Sequence, residues 1–297
     1  MLRILVIALS LLAGCPNKPV KAPRTDAPFK PGATDHVRLV FIGDTGAANE
    51  AMRALRAAVI KERKDAVVVL GDLVYPMMPE CPTGQLEAEA LQEMNTKVGD
   101  MLRGLGAPVL VTLGNHDTEW GKENNPLKTC VELYAAREPD IVFPAENYLV
   151  DYGVALLAFV NTNRLTAGNG HMVREAFAEH RGWKIGVGHH VLKTYRDKVG
   201  ETIVARWLKR QRIRPDLWTN GHAHLLQYGV YDGIPAITSG TGAYPRKRKT
   251  CPPECGAGEM FGESKVGYAV VDITAKRMGI TFKDTNGKVM FRTQVTR

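Results

Sequence analysis

The chain has 297 residues, 44% of them hydrophobic and 24% charged, an ordinary globular balance with enough apolar material for a sizeable core. The formal charge of +8 points to anionic surfaces or substrates. The basic residues are mostly scattered and come with no RNA-binding or helix-turn-helix signature, so nucleic-acid binding is not expected.

Arg3, the apolar run Ile4 to Leu12 and Leu12-Ala13-Gly14-Cys15 open the chain. The run falls well short of the roughly 20 residues a membrane-crossing helix needs and fits the core of a cleaved export signal. The segment resembles a bacterial lipoprotein signal with its lipobox. That resemblance implies cleavage before Cys15, a diacylglycerol on its thiol, and a protein exported and tethered to the cell envelope through its N-terminal lipid. An ordinary secretory signal cut nearby is the alternative, and it too exports the protein. Removing residues 1–14 takes away Arg3, leaving 38 basic against 31 acidic side chains, a formal +7. Residues 15–36 carry Pro16, Pro19, Pro23, Pro28 and Pro31 among lysines and small residues and read as a semi-rigid spacer.

Residues 37–297 show no internal repeat and no second linker and read as one catalytic domain. Val37 to Ile42 predicts a strand. Asn49 to Lys64 predicts a helix with Met52, Leu55, Val59 and Ile60 on one side, and Ala66 to Leu70 a second strand. Pro108 to Leu113, Trp183 to Val187 and Leu217 to Thr219 are further strands, each running into a glycine followed by polar side chains. From Gln227 the pattern turns antiparallel, with turn signals at Asp232-Gly233 and Asn286-Gly287 and alternating segments near 267–273, 277–283 and 288–294. The expected fold is α/β, a two-sheet β-sandwich flanked by helices.

Where the strands stop, oxygen and nitrogen donors collect: Gly43-Asp44-Thr45-Gly46, Gly71-Asp72-Leu73-Val74-Tyr75, Gly114-Asn115-His116-Asp117, Gly188-His189-His190 and Gly221-His222-Ala223-His224. Ligands in open α/β sheets sit in loops beyond the carboxyl ends of strands. Carboxylate, amide carbonyl, imidazole and phenolate suit zinc, manganese and iron. A carboxylate can also bridge two ions at the roughly 3.5 to 4 Å separation that lets both grip one phosphoryl group, and Asp72 is the candidate bridge. His222 and His224 are expected to share a strand face as alternate residues.

These clusters resemble those of the calcineurin-like metallophosphoesterases, and within them the small, tartrate-resistant type of purple acid phosphatase. The Asp44-Thr45-Gly46 segment lacks the histidine that many members carry two residues after the aspartate, while Tyr75 falls where purple acid phosphatases supply a phenolate. The resemblance implies that Asp44, Asp72, Tyr75 and His224 hold one metal and that Asp72, Asn115, His189 and His222 hold a second. His116 would stand near the phosphate and its leaving oxygen. It also implies hydrolysis of small phosphomonoesters by metal-bound hydroxide, with iron(III) beside divalent iron, zinc or manganese. Phosphodiester or nucleotide hydrolysis and a non-catalytic metal-binding surface protein are the alternatives. Two departures concern substrate: the loop containing Lys193, Tyr195, Arg196 and Lys198 has no histidine, and Asn161 stands where relatives often have aspartate.

Apart from Cys15 there are four cysteines, Cys81, Cys130, Cys251 and Cys255, which allow three disulfide pairings in an exported protein. Cys81 with Cys130 is preferred because each follows a metal cluster on the shared rim; a four-thiolate zinc site is a weaker alternative. The remaining histidines, His36, His171 and His180, read as surface or capping residues, and His190 as a neighbour of the site. Trp120 and Tyr244 could flank a substrate, and Arg246-Lys247-Arg248-Lys249 reads as a solvated loop with room for an electrostatic role. Oligomeric state leaves no mark on the sequence.

Overall fold

Val37 to Ile42 and Ala66 to Val69 are almost uniformly apolar, as strands covered on both faces must be. In the computed structural model they lie side by side near the middle of a sheet. The structure describes residues 31–118, 125–193, 202–247 and 258–297. The signal 1–14, Cys15, most of the 15–36 spacer, Trp120, Tyr195, Arg196, Lys198, Arg248, Lys249, Cys251 and Cys255 lie outside the described residues.

In chain order the elements are β1 (His36–Ile42), α1 (Glu50–Lys61), β2 (Ala66–Val69), α2 (Ala88–Met94), a π turn (Asn95–Gly99) running into α3 (Asp100–Leu102), β3 (Val109–Val111), α4 (Pro126–Ala135), β4 (Ile141–Val142), β5 (Tyr148–Asp151) and β6 (Ala155–Phe159). There follow α5 (Ala167–Glu179), β7 (Trp183–Val187), α6 (Ile203–Gln211), β8 (Leu217–Asn220), β9 (Leu226–Tyr231), β10 (Ile234–Ser239), β11 (Glu259–Glu263), β12 (Gly267–Thr274), β13 (Arg277–Asp284) and β14 (Val289–Thr296).

Two seven-stranded mixed sheets result, ordered β14-β13-β12-β1-β2-β3-β4 and β11-β9-β10-β8-β7-β6-β5. Strands β1 to β4 run parallel, as do β6, β7, β8 and β10, so the carboxyl ends of both parallel sets can feed one rim. Phe41, Val68, Phe159, Ile185, Leu217, Ile237 and Tyr268 fill the core between the sheets. A second core, with Phe177, Trp207, Leu208 and Trp218, seats α5 and α6 on the second sheet. This is the helix-flanked sandwich expected.

The helix beginning at Asn49 ends three residues earlier than expected. Asn49 caps it, its side chain accepting the Met52 N–H, but Glu62 is extended with ψ 134° because its carboxylate is drawn to Lys283, Arg38 and Tyr268 on the sheet. Ile60, placed by periodicity on the apolar side, is 41% exposed. The two predicted turns do join β9 to β10 and β13 to β14. Asp232 and Gly233 both have positive φ, the two-residue hairpin geometry that matches strand twist. Among the described residues no helix is long and apolar enough to cross a membrane. Cys81 and Cys130 form a disulfide tying the loop after Tyr75 to α4.

Candidate metal centre

The loops leaving β1, β2, β3, β7 and β8 meet at one rim, and the backbone there is forced into an unusual shape. Six non-glycine residues among those described have positive φ, and four are Asp44 (56°), Asp72 (56°), His222 (65°) and His224 (56°). Left-handed backbone costs an ordinary residue about 1 kcal/mol or more, so it persists only where the surroundings impose it. His222 and His224 are therefore not alternate residues of a strand, as expected. They occupy the tight turn between β8 and β9, and both side chains reach the rim because each residue is left-handed. Glycine is required beside them: a β-carbon on Gly221 would lie 2.6 Å from Asp44 Oδ2, and one on Gly114 would run into Asp72.

The seven predicted ligands come together as two groups of four. In the first, the Tyr75 hydroxyl lies 2.9 Å from Asp72 Oδ2, 3.1 Å from Asp44 Oδ1 and 3.3 Å from His224 Nε2, and His224 Nε2 is 3.4 Å from Asp44 Oδ1. In the second, Asn115 Oδ1 lies 2.9 Å from His222 Nδ1 and 3.1 Å from His189 Nε2. The two ring nitrogens are 3.2 Å apart, and His189 Nε2 is 3.4 Å from Asp72 Oδ1. Asp72 thus gives one oxygen to each group. Asp44, Asp72 and His189 by themselves present donor atoms within 4.8 Å of one another and are all buried.

The nitrogens facing the rim are selected by what holds the other side of each ring. His189 Nδ1–H donates to the Leu70 carbonyl at 2.7 Å and His224 Nδ1–H to the Tyr244 carbonyl at 2.6 Å, leaving Nε2 of both with a lone pair for a cation. The spare Asp44 oxygen, Oδ2, accepts the His222 N–H at 2.9 Å, and Asp72 Oδ1 also accepts the His116 N–H at 3.0 Å. His116 stands beside the first group, its ring 4.7 Å from that of Tyr75 and its Nδ1 bound to the Pro76 carbonyl.

The model of the calcineurin-like phosphoesterase family matches residues 37–226, more than half of the chain and every donor loop. The chain belongs to the calcineurin-like phosphoesterase family. Comparison with curated proteins finds no match. Among solved structures, the phosphoesterase is similar to purple acid phosphatase PPD1 of yellow lupin, Lupinus luteus, with a TM-score of 0.67 and 15% identity, over 89% of this chain and 54% of that one. It is also similar to GAP50, the anchor in the inner membrane complex of Plasmodium, with a TM-score of 0.64 and 15% identity, over 89% of each chain. PhoD matches with a TM-score of 0.56 and 12% identity, over 91% of this chain and 70% of that one. At these identities the likeness is one of fold. It extends past residue 226, where the family model ends, into the antiparallel strands.

The donors of this metal-dependent phosphoesterase need cations. Burial raises the Asp44 carboxyl well above the usual carboxylate range, with His189 offsetting and Asp72 adding to the rise. Burial acts the same way on Asp72, but the adjacent His189 and the His116 N–H hold it well below that range. Burial opposes charge on His189, yet Asp72 and Asp44 outweigh it and lift its imidazole to about 9. Burial and the two carboxylates push the Tyr75 phenol far up, while burial drops His224 to about 4 and keeps it neutral. Among the described residues no lysine or arginine pairs with Asp44 or Asp72. Buried carboxylates stay charged only when paired or bound to metal, so the site fits cations whose arrival displaces protons.

Sequence reasoning assigned no role to Asp117. Fully buried, its Oδ1 accepts the Leu73 N–H and its Oδ2 the Gly114 N–H, both at 2.7 Å, and so it clamps the loop carrying Asp72 to the loop carrying Asn115. Thr162 does the same for the His189 loop, its hydroxyl accepting the His189 and His190 N–H groups and meeting His190 Nδ1 at 2.7 Å. His190 is thus tied back from the donors. Asn161 turns toward Glu146 and Asn163. Tyr244 packs its ring 5.4 Å from Tyr75 and is 48% exposed, at the mouth of the site.

Proposed function

We propose that the chain is a binuclear phosphomonoesterase of the purple acid phosphatase type, exported and held at the cell envelope by lipid on Cys15. The observation that carries this reading is the division of Asp72, whose two oxygens belong to two separate four-donor groups. Asp44, Asp72, Tyr75 and His224 would hold one ion, and Asp72, Asn115, His189 and His222 the other. Tyr75 as a phenolate favours iron(III) in the first, with divalent iron, zinc or manganese in the second. Bound there, such ions make a nucleophile from water at neutral pH and draw electron density from the phosphoryl oxygens.

The protein's own groups would then orient and protonate. His116 has Nδ1 held by the Pro76 carbonyl, leaving Nε2 as the nitrogen able to exchange a proton with the leaving oxygen. Asp117 and Thr162 keep three donor loops in register, and Tyr244 offers a face beside Tyr75 for the organic part of a small phosphate ester.

Chain loaded with iron and a second divalent metal is expected to release phosphate from a simple aryl phosphate and to act far more slowly on a bis-aryl phosphate. Full activity in Asp72→Ala or His222→Ala would overturn the assignment, and preference for the diester would move it to a phosphodiesterase. A second reading, a surface protein using the site for binding alone, draws support from the fold similarity to GAP50, an anchor. Tight metal binding without turnover on any phosphate ester would favour it.

A further inference from the structure

A second charged feature lies at the other end of β1. His36 and Arg38 begin the strand whose far end leads to Asp44, about 20 Å away at the usual rise of a β-strand. There the outer faces of β12, β13 and β14, with the segment following α1, line a groove of about 820 Å³. Five cationic side chains line it, Arg38, Arg63, Arg277, Lys283 and Arg292, against Asp272 and the adjoining Glu62.

The cations fall into two kinds. Arg38 and Lys283 are pinned, Arg38 to Glu62 at 2.9 Å and to Asp272, Lys283 to Glu62 at 2.7 Å. Arg63, Arg277 and Arg292 are exposed and, among the described residues, have no carboxylate partner. Five cations against two carboxylates leave a net positive groove. Its floor is open at Gly279, where a β-carbon would find nothing nearer than Asp272 at 3.9 Å, and Thr281 adds a hydroxyl beside it. The phosphoesterase reading uses none of these residues.

We propose that this groove binds the anionic phospholipid headgroups of the membrane to which the chain is tethered, and so orients the domain with its metal centre facing away from the bilayer. Two arguments choose this occupant. One is charge complementarity: lone guanidinium groups around an open floor suit phosphate diesters at a surface. The other is where the chain enters. The described residues begin at Pro31, and His36, five residues on, already lines the groove. The segment from Cys15 to Pro31, even as a fully extended polyproline helix, reaches at most about 50 Å. The second argument rests on the lipid reading of Cys15, and the first does not.

The test uses the full chain carrying Cys15→Ser, so that no lipid is attached, with vesicles of phosphatidylcholine alone or containing a minority of phosphatidylglycerol. The proposal expects co-sedimentation with the anionic vesicles over the neutral ones, weakening as salt rises. In Arg277→Gln/Arg292→Gln that preference should fall by roughly tenfold or more, on the scale of about fivefold per cation near an anionic surface. Any membrane affinity of the N-terminal apolar run is common to both proteins and cancels. Equal binding to the two kinds of vesicle, or an undiminished anionic preference in the double variant, would overturn the proposal. Binding to polyphosphate or duplex DNA without vesicle binding would also overturn it, giving the groove to a soluble polyanion. Turnover of a soluble aryl phosphate, followed in parallel, reports the metal centre, so failure of the phosphatase reading is seen separately.

Discussion

The rim where β1, β2, β3, β7 and β8 end and the meander β12-β13-β14 are built by opposite rules. In the meander the turn is made by Gly287 with φ 78°, nothing lies within 4 Å of where its β-carbon would be, and apolar residues alternate with polar ones toward an open face. At the rim the left-handed positions are held by two aspartates and two histidines, with glycines pressed against them and the carboxylates buried beside histidines with, among the described residues, no lysine or arginine partner. All four left-handed residues of the rim present donor atoms to a shared centre. Strain alone would not identify a site, but strain that converges does.

The largest expected effect follows from removing the shared donor. Asp72→Ala should lower kcat/KM for an aryl phosphate on the order of a thousandfold or more, because in the proposed binuclear site both ions would lose an oxygen at once. A loss under tenfold would mean that the rim is strained for some other reason. Stripping metal with a chelator should come next. It leaves two buried carboxylates with only histidine beside them, and by mass action a ligand present at about 1,000 times its Kd contributes about 4 kcal/mol of stability. Denaturant unfolding with and without chelator reads this directly, and coincident curves would contradict it.

Asp117→Asn should act more weakly, since the amide keeps one acceptor for the two N–H groups that Asp117 now satisfies. A drop of about 10- to 100-fold in metal affinity is expected, the usual scale for groups that hold ligands in place. Asp117→Glu should not rescue it, because the longer side chain displaces the loops it spans. The smallest effect belongs to the meander. Gly287→Ala should cost about 1 kcal/mol of stability from left-handed strain and leave activity unchanged. An activity loss there would break the distinction between the two regions.

Much of this contrast was legible in the residues. The donor loops could be read because each opens on a glycine near a strand's end, and the paired departures at Thr45-Gly46 and Tyr75 carry the resemblance on which the proposed type of site rests. The backbone that presents them could not be read: His222 and His224 looked like strand neighbours, and only the folded turn makes both left-handed. Asp117 was missed because its partners are backbone N–H groups, one of them, that of Leu73, on a loop 44 residues away and brought close only once β2 and β3 are adjacent. The overrun of α1 has the same origin, as Glu62 leaves the helix for partners on β1, β12 and β13. In each case a tertiary contact outweighed a local preference.

The central claim is that two cations share Asp72, and it is tested most directly by counting them. Metal content of the chain after equilibrium dialysis against zinc or manganese should be two ions per chain in the wild type and fewer in Asp72→Ala. One ion per wild-type chain, or two retained in Asp72→Ala, would contradict it.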